Sequence, residues 1–246
     1  MRVVGAAHAE TGPQRRKYAY ASVDERTILC FGDSNTWGCP PGGDGERRFP
    51  RDVRWPGVLQ QLLGEDYYVV EEGLNGRTAT LDHPWVEGRS GRSYLLPCCR
   101  SHAPLDLVIV YLGTNDLADH YQLSAAEVAE SCASLVRVVR AAECGRDGGT
   151  PPVLLVCPPP ISPTGPDAEE YESAAVKSRT LGKRFSESAE AVGAELLDLG
   201  GVVRYSEEDP IHLDADAHRA LAEAVEPFVR RLAPSPAVSG SISASD

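Results

Sequence analysis

Short runs of aliphatic and β-branched residues alternate along the chain with longer segments whose apolar residues recur at helical spacing. The short runs predict five strands, at Thr27–Phe31, Tyr67–Glu72, Leu105–Leu112, Val153–Cys157 and Glu195–Asp198. The longer segments predict four helices, at Trp55–Leu63, Ser124–Ala142, Ala168–Val192 and Asp216–Leu232, the second of which opens with a capping box of Ser124 and Glu127. Because strands that alternate with helices are typical of βαβ units, the pattern predicts an α/β fold on a parallel sheet.

The regular pattern occupies residues 27–233 and is missing from both ends of the chain. Residues 1–26 are mostly polar, and residues 234–246 are dominated by Ser, Ala, Pro and Gly. A length of 246 residues suits one α/β domain of ordinary size. We therefore expect one folded domain between two mobile tails.

Composition and charge narrow the classes of partner. A formal net charge of −12 argues against nucleic-acid and anionic-membrane partners, which both require a basic surface. The seven cysteines are odd in number and form no C-x-x-C pair, which argues against a disulfide framework. The sequence contains neither an apolar run typical of a signal peptide nor one long enough to span a membrane. We expect a cytoplasmic protein that binds a small-molecule substrate.

Polar residues follow the predicted strands at the points where a catalytic site is expected. Ser34 comes just after the first strand, Gly76 follows the second and Asn115 follows the third, while Asp209 and His212 precede the last helix. In open α/β sheets, ligands bind beyond the carboxyl ends of the strands. The four loops that carry these residues are therefore expected to meet at one edge of the sheet.

These residue types supply the groups that acyl transfer from an ester requires. The reaction needs a nucleophile, a base, a group that orients the base, and donors for the developing oxyanion. We assign Ser34 as the nucleophile, His212 as the base and Asp209 as the orienting carboxylate. The expected oxyanion donors are the backbone N–H groups of Ser34 and Gly76 and the side-chain amide of Asn115.

Each of these motifs, taken alone, also has an ordinary structural interpretation. A Ser after a tight turn often caps a helix, and Asn-Gly and Asn-Asp are common turn signals. Asp214 or Asp216 can in principle replace Asp209, and the same two acids with His218 can suggest a metal site. Both acids open the last helix, however, where carboxylates are favoured as caps. We expect Asp209 to hold the base, and no metal to be bound.

The four motifs together resemble the SGNH or GDSL hydrolases. The matching blocks appear in the family's order, as Gly32-Asp33-Ser34, Gly76, Gly113-x-Asn115-Asp116 and Asp209-x-x-His212. The resemblance implies a flavodoxin-like three-layer α/β/α sandwich with a five-stranded parallel sheet in the order 2-1-3-4-5. It also implies the same catalytic roles for these residues, and neither metal nor other cofactor.

Within that family, the chain resembles the bacterial arylesterases, a subgroup that includes an esterase with acyltransferase activity. The resemblance is carried by segments such as Ile28–Ser34, Asp52–Trp55, Glu71–Leu74 and Leu112–Asp116. We expect Trp37 to wall the acyl pocket. Asn35 and Asn75, which replace an apolar residue and a Ser of the subgroup, are expected to give a more polar substrate site.

The loop Cys39–Arg54 is rich in Gly, Pro and Arg. It can be a lid over the substrate or a contact between subunits. We favour the second interpretation, because the resembling subgroup forms homo-oligomers through such insertions. The sequence therefore predicts a homo-oligomer.

The sequence as a whole predicts a serine carboxylic ester hydrolase that cleaves small, short-acyl esters through an acyl-serine intermediate. An O-deacetylase of a carbohydrate or natural product, and an acyltransferase to an alcohol, would use the same catalytic residues. A non-catalytic binding module is the remaining alternative. The presence of all four blocks argues against it.

Overall fold

Five parallel strands form the centre of the fold, in the spatial order β2-β1-β3-β4-β5. The computed structural model describes residues 25–43, 45–165 and 168–235. The strands are β1 (Arg26–Gly32), β2 (Tyr67–Gly73), β3 (Leu107–Tyr111), β4 (Val153–Cys157) and β5 (Glu195–Asp198). Every neighbouring pair is parallel, which confirms the sheet and the strand order that the resemblance implied.

Helices cover both faces of the sheet and complete three layers. They are α1 (Ser34–Trp37), α2 (Trp55–Leu63), α3 (Gly91–Ser101), α4 (Ala125–Ala142), α5 (Ala174–Ser178), α6 (Leu181–Val192) and α7 (Ala215–Leu232). Helix α2 packs against α7, and α4 packs against α3 and α6. Because both faces are covered, every residue of β3 and β4 is buried. None of the helices in the described parts of the chain is long and apolar enough to span a lipid bilayer.

The start of α4 follows the predicted capping box. The Ser124 hydroxyl accepts a hydrogen bond from the Glu127 backbone N–H at 3.3 Å, and the Glu127 carboxylate accepts one from the Ser124 N–H at 2.8 Å. Helix α3 lies outside the predicted set. Its sequence contains Gly91 and Pro97, and both residue types weaken the helical signal.

The helix predicted at Ala168–Val192 is wrong as one continuous element. The segment forms a 3₁₀ turn at Ala168–Tyr171 and then the separate helices α5 and α6. Ser173, just before α5, donates its backbone N–H to Asp119 at 3.1 Å. Ser178, at the end of α5, accepts a hydrogen bond from the Ile161 N–H at 2.9 Å. These contacts with other loops break a helix that the local periodicity favours.

The ends of the predicted domain differ slightly from expectation. Residues 1–24 and 236–246, which make up most of the two predicted tails, lie outside the described residues. Arg26 was assigned to the first tail, but it begins β1, and its Nε donates to the Pro234 carbonyl at 2.8 Å. Ser235 also contacts the domain through a hydrogen bond of its backbone N–H to the Tyr67 hydroxyl, at 3.1 Å.

Strand register brings three of the four predicted loops to the same level. Gly32 at the end of β1 pairs with Gly73 on one side and with Tyr111 on the other. The segments that follow these three residues therefore leave the sheet side by side. This edge carries the candidate site.

Candidate active site

Ser34 occupies a sharp turn between β1 and the single-turn helix α1. Asp33 caps this helix by accepting a hydrogen bond from the Asn35 backbone N–H at 2.9 Å. A Cβ atom at Gly32 would lie 2.1 Å from Thr36 Oγ1, so only glycine fits where the chain folds back. Beyond the end of the strand, Ser34 lines a cavity.

A hydrogen-bonded chain joins Ser34 to His212 and Asp209. Ser34 Oγ lies 3.1 Å from His212 Nε2, and His212 Nδ1 lies 3.0 Å from Asp209 Oδ2. Asp209 Oδ1 also accepts hydrogen bonds from the backbone N–H groups of Ile211 and His212. The Gly42 N–H donates to Asp209 Oδ2 at 2.6 Å, which is a contact that the sequence did not predict.

The electrostatics of this pair keep the Asp209 carboxylate charged. Burial alone would raise the pKa of Asp209, but hydrogen bonds and the charge of His212 outweigh it and lower the pKa to about 2. Burial also opposes the charged form of His212, yet its contact with Asp209 raises the pKa of the imidazole above the ordinary value of 6.5. The carboxylate therefore favours proton uptake by His212.

Gly76 and Asn115 lie with Ser34 around the same cavity. Gly76 has a φ of +69°, which glycine adopts without strain. The Asn115 side-chain nitrogen donates one hydrogen to the Arg77 carbonyl at 3.0 Å, and its amide group carries a second. Ser34, Gly76 and Asn115, which carry the three predicted oxyanion donors, thus line one cavity.

Two further residues fix the loops that carry these donors. Asp116 accepts the Ala79 backbone N–H at 3.0 Å, and burial raises the pKa of its carboxyl group to about 7. The Arg77 guanidinium donates to the Gly32 carbonyl at 2.8 Å and packs over the Phe31 ring. Arg77 was not predicted, because a single Arg after a strand carries no recognisable sequence signal.

The cavity above Ser34 has a volume of about 290 Å³, at the small end of the range for ligand sites. Asn75, which the sequence suggested as a substrate-binding residue, is part of its lining. One part of the wall is formed by small residues of the loop after α1, Cys39, Gly43 and Gly45. Another part carries aromatic and imidazole rings from later loops.

The structure gives Asn35 and Trp37 different places from the predicted ones. Asn35 is fully buried, its Nδ2 donates to the Ile211 carbonyl at 2.9 Å, and its Oδ1 accepts the Leu213 N–H at 3.0 Å. Both polar atoms of the Asn35 side chain therefore form hydrogen bonds with the backbone on either side of His212. Trp37 is not among the described residues lining the cavity; it is partly covered by the Arg48 guanidinium, 5.1 Å from its ring centre.

Asp214 and His218, which suggested an alternative metal site at the start of α7, have other contacts in the structure. Asp214 caps the helix by accepting the Ala217 N–H at 2.8 Å, and His218 is fully buried with its Nδ1 3.4 Å from the Trp55 N–H. Across the described ranges, the one group of ligand-type side chains close enough for a metal is Glu72, Cys98 and His102, whose ligand atoms lie within 4.8 Å of one another. None of these three lines the cavity at Ser34.

The sequence matches a known protein family. Residues 30–220 match the model of the GDSL-like lipase/acylhydrolase family. The chain belongs to this family. No curated protein matches this GDSL-family chain in sequence.

Solved structures similar to this family member include two esterases. The Mycobacterium smegmatis aryl esterase is 38% identical with a TM-score of 0.80, over 84% of this chain and 99% of that one. Est24, a carbohydrate acetylesterase from Sinorhizobium meliloti, is 34% identical with a TM-score of 0.80, over 85% of this chain and 100% of that one. The GDSL-family chain is therefore an ester hydrolase.

Proposed function

We propose that the chain hydrolyses small, short-acyl carboxylic esters through an acyl intermediate on Ser34. The observation that carries the proposal is the hydrogen-bonded chain from Ser34 Oγ through His212 to Asp209, whose first two members line the same cavity as Gly76 and Asn115. A nucleophile, an oriented base and oxyanion donors at one point are the requirements of acyl transfer.

The proposed reaction has two half-steps. Ser34 Oγ attacks the ester carbonyl while His212 Nε2 takes the hydroxyl proton, and the oxyanion accepts hydrogen bonds from the Ser34 and Gly76 N–H groups and the Asn115 amide. His212 then gives the proton to the leaving alcohol, and the C–O bond of the ester breaks. In the second half, His212 activates a water that releases the acid from Ser34. Asp209 holds the imidazole tautomer throughout.

The preference for a short acyl group is supported by the size of the cavity. A space of about 290 Å³ holds a small ligand, and Ser34, His212, Gly76 and Asn115 all line it. The rate for p-nitrophenyl esters is therefore expected to fall as the acyl chain is lengthened from acetate to octanoate. A rate that rises with chain length would contradict this part of the proposal.

Replacement of the nucleophile tests the mechanism directly. Ser34→Ala is expected to fold and to lose several orders of magnitude in kcat on p-nitrophenyl acetate. Ser134→Ala is the matched control, since Ser134 is also buried but bonds only to the Ser131 carbonyl of its own helix. Wild-type activity in Ser34→Ala would refute Ser34 as the nucleophile.

An O-deacetylase of a carbohydrate or natural product is the second candidate, and acyl transfer to an alcohol uses the same intermediate. The deacetylase is supported by the polar lining of the cavity, which includes Asn75, His83, His120 and Glu170. It is also supported by the similarity to the carbohydrate acetylesterase Est24. A screen of acetylated sugars against simple alkyl and aryl acetates separates the candidates.

A cytoplasmic location and a homo-oligomeric state complete the proposal. All seven cysteines are unpaired, which suits a reducing compartment. The Arg-rich insertion does not support oligomerisation, because Arg48, Arg51 and Arg54 bind Glu71 of the same chain. The oligomer therefore rests on the subgroup resemblance, and light scattering that gives a 26.4 kDa particle would refute it.

A further inference from the structure

Four rings gather at one side of the cavity mouth and form what we call the ring wall: His83, Trp85, His120 and Tyr121. The centre of the His120 ring lies 4.1 Å from that of Tyr121, 5.3 Å from His83 and 6.1 Å from Trp85. His83, His120 and Tyr121 line the cavity itself. Trp85 is not among the residues that line the cavity, but its ring lies next to those of His83 and His120, and its exposed fraction of 80% is the largest of any large hydrophobic residue in the described chain.

The ring wall carries polar atoms with unused hydrogen-bonding capacity. His120 Nδ1 lies 3.2 Å from the Glu170 carboxylate, while the buried His120 Nε2 has no hydrogen-bond partner among the described residues. The Tyr121 hydroxyl is likewise buried and unpartnered within those ranges, and burial raises its pKa to about 12, so it keeps its proton. Asn75 Oδ1, across the cavity, is a third such atom in the described chain.

The tautomer of His83 adds a donor to this set. The backbone N–H of Trp85 donates to His83 Nδ1 at 3.2 Å, so the proton of a neutral His83 ring sits on Nε2. The ring wall and Asn75 thus offer both donors and acceptors within one small space. Buried polar groups of this kind are costly unless a partner satisfies them.

We propose that the ring wall is a subsite for an uncharged ring that bears several hydroxyl groups, such as a sugar, and that it holds the alcohol half of the ester. Trp85 stacks on the apolar face of the ring, and small rotations of His120, Tyr121 and Asn75 turn their buried polar atoms towards its hydroxyls. The assignment to the alcohol half rests on the proposed function. If the acyl group is short, the larger half of the ester is the one that reaches the rim.

The chemistry of the ring wall favours this ligand over the alternatives. A purely apolar group would leave the polar atoms of His120, Tyr121 and Asn75 unsatisfied. An anionic ring would face the Glu170 carboxylate, whose effect on the pKa of Tyr121 exceeds the opposite effect of the nearby Arg89 guanidinium. A hydroxylated ring has both an apolar face for Trp85 and hydroxyls that donate and accept.

The test compares an acetylated methyl glycoside with ethyl acetate, which has no ring. Trp85→Ala and Tyr121→Phe should each lower the ratio of kcat/KM for the sugar ester to that for ethyl acetate, by roughly three- to tenfold. Tyr68→Ala is the control, because Tyr68 is a half-exposed aromatic of β2 outside this cavity, and it should leave the ratio unchanged. Equal falls for both substrates, or an unchanged ratio in both ring-wall variants, would overturn the subsite.

A binding measurement separates this inference from the proposed function. In Ser34→Ala, hydrolysis should stop, while the acetylated glycoside should still change the tryptophan fluorescence, and the change should disappear when Trp85 is also replaced by Phe. Residual esterase activity in Ser34→Ala contradicts the nucleophile and leaves the fluorescence result to decide the subsite. Absence of any change at saturating sugar ester overturns the subsite, as does a drop in particle mass in Trp85→Ala, which would place Trp85 in a subunit contact.

Discussion

The Asn35 amide provides the sharpest test of how this site is held together. Its side chain bridges the carbonyl of Ile211 and the N–H of Leu213, the two peptide groups that flank His212. Asn35→Leu keeps a similar volume but removes both hydrogen bonds. The turn that carries Ser34 would then lose its direct hydrogen bonds to the segment that carries His212.

The expected loss of stability follows from the burial of the two backbone groups that would lose their hydrogen-bond partner. Ile211 and Leu213 are both buried, and each abandoned backbone group costs about 1–3 kcal/mol. The free energy of unfolding should therefore fall by about 2–6 kcal/mol in Asn35→Leu. A shift of His212 by about 1 Å relative to Ser34 should lower kcat by about a hundredfold, because catalysis depends on the alignment of the two groups.

The assay combines urea unfolding, followed by circular dichroism, with kcat and KM for p-nitrophenyl acetate under conditions where the variant is fully folded. Thr36→Val is a matched control: Thr36 is the next residue of the same buried turn, and its hydroxyl has no partner among the described residues. It should change stability by less than about 1 kcal/mol. If Asn35→Leu matches Thr36→Val in both stability and kcat, the bridge does not position His212.

Four further outcomes are expected. Asn115→Ala should fold normally and lower kcat by roughly a hundredfold, the usual loss of one oxyanion donor; a change in KM alone would make it a binding residue. Asp209→Asn should cut kcat by several orders of magnitude, whereas Asp214→Asn should alter mainly the urea midpoint, since Asp214 only caps α7. The kcat/KM of the wild type should rise with pH through a value above 6.5, because the base must be neutral and Asp209 outweighs burial in raising the pKa of His212. Burial lowers the pKa of His218 from 6.5 to about 4, so between these pH values only the unfolded chain binds the proton. About 3 kcal/mol of stability should therefore be lost as the pH falls from 6.5 to 4. His218→Gln should flatten this part of a plot of urea midpoint against pH.

Local sequence was sufficient to predict the strands and to locate the four motifs. A buried parallel strand appears in the sequence as a short run of aliphatic residues. The observed bounds of β4 and β5 agree with the predicted ones. The tight turn at Gly32 and the loop before His212 need particular residue types at short spacing. Such requirements are visible in one stretch of chain, so the sequence alone led to Ser34 and Asp209.

Only the tertiary structure decided what surrounds these residues. Asn35 looks like a polar residue beside the substrate, but its partners lie 176 and 178 positions away, and no local pattern encodes them. The rings of His83 and His120 come from different loops and meet only when the sheet edge is assembled. Motifs reflect short-range requirements, while the wall of a cavity depends on which distant loops pack together. The sequence by itself therefore determined the candidate catalytic residues, and the fold decided the shape and polarity of the space around them.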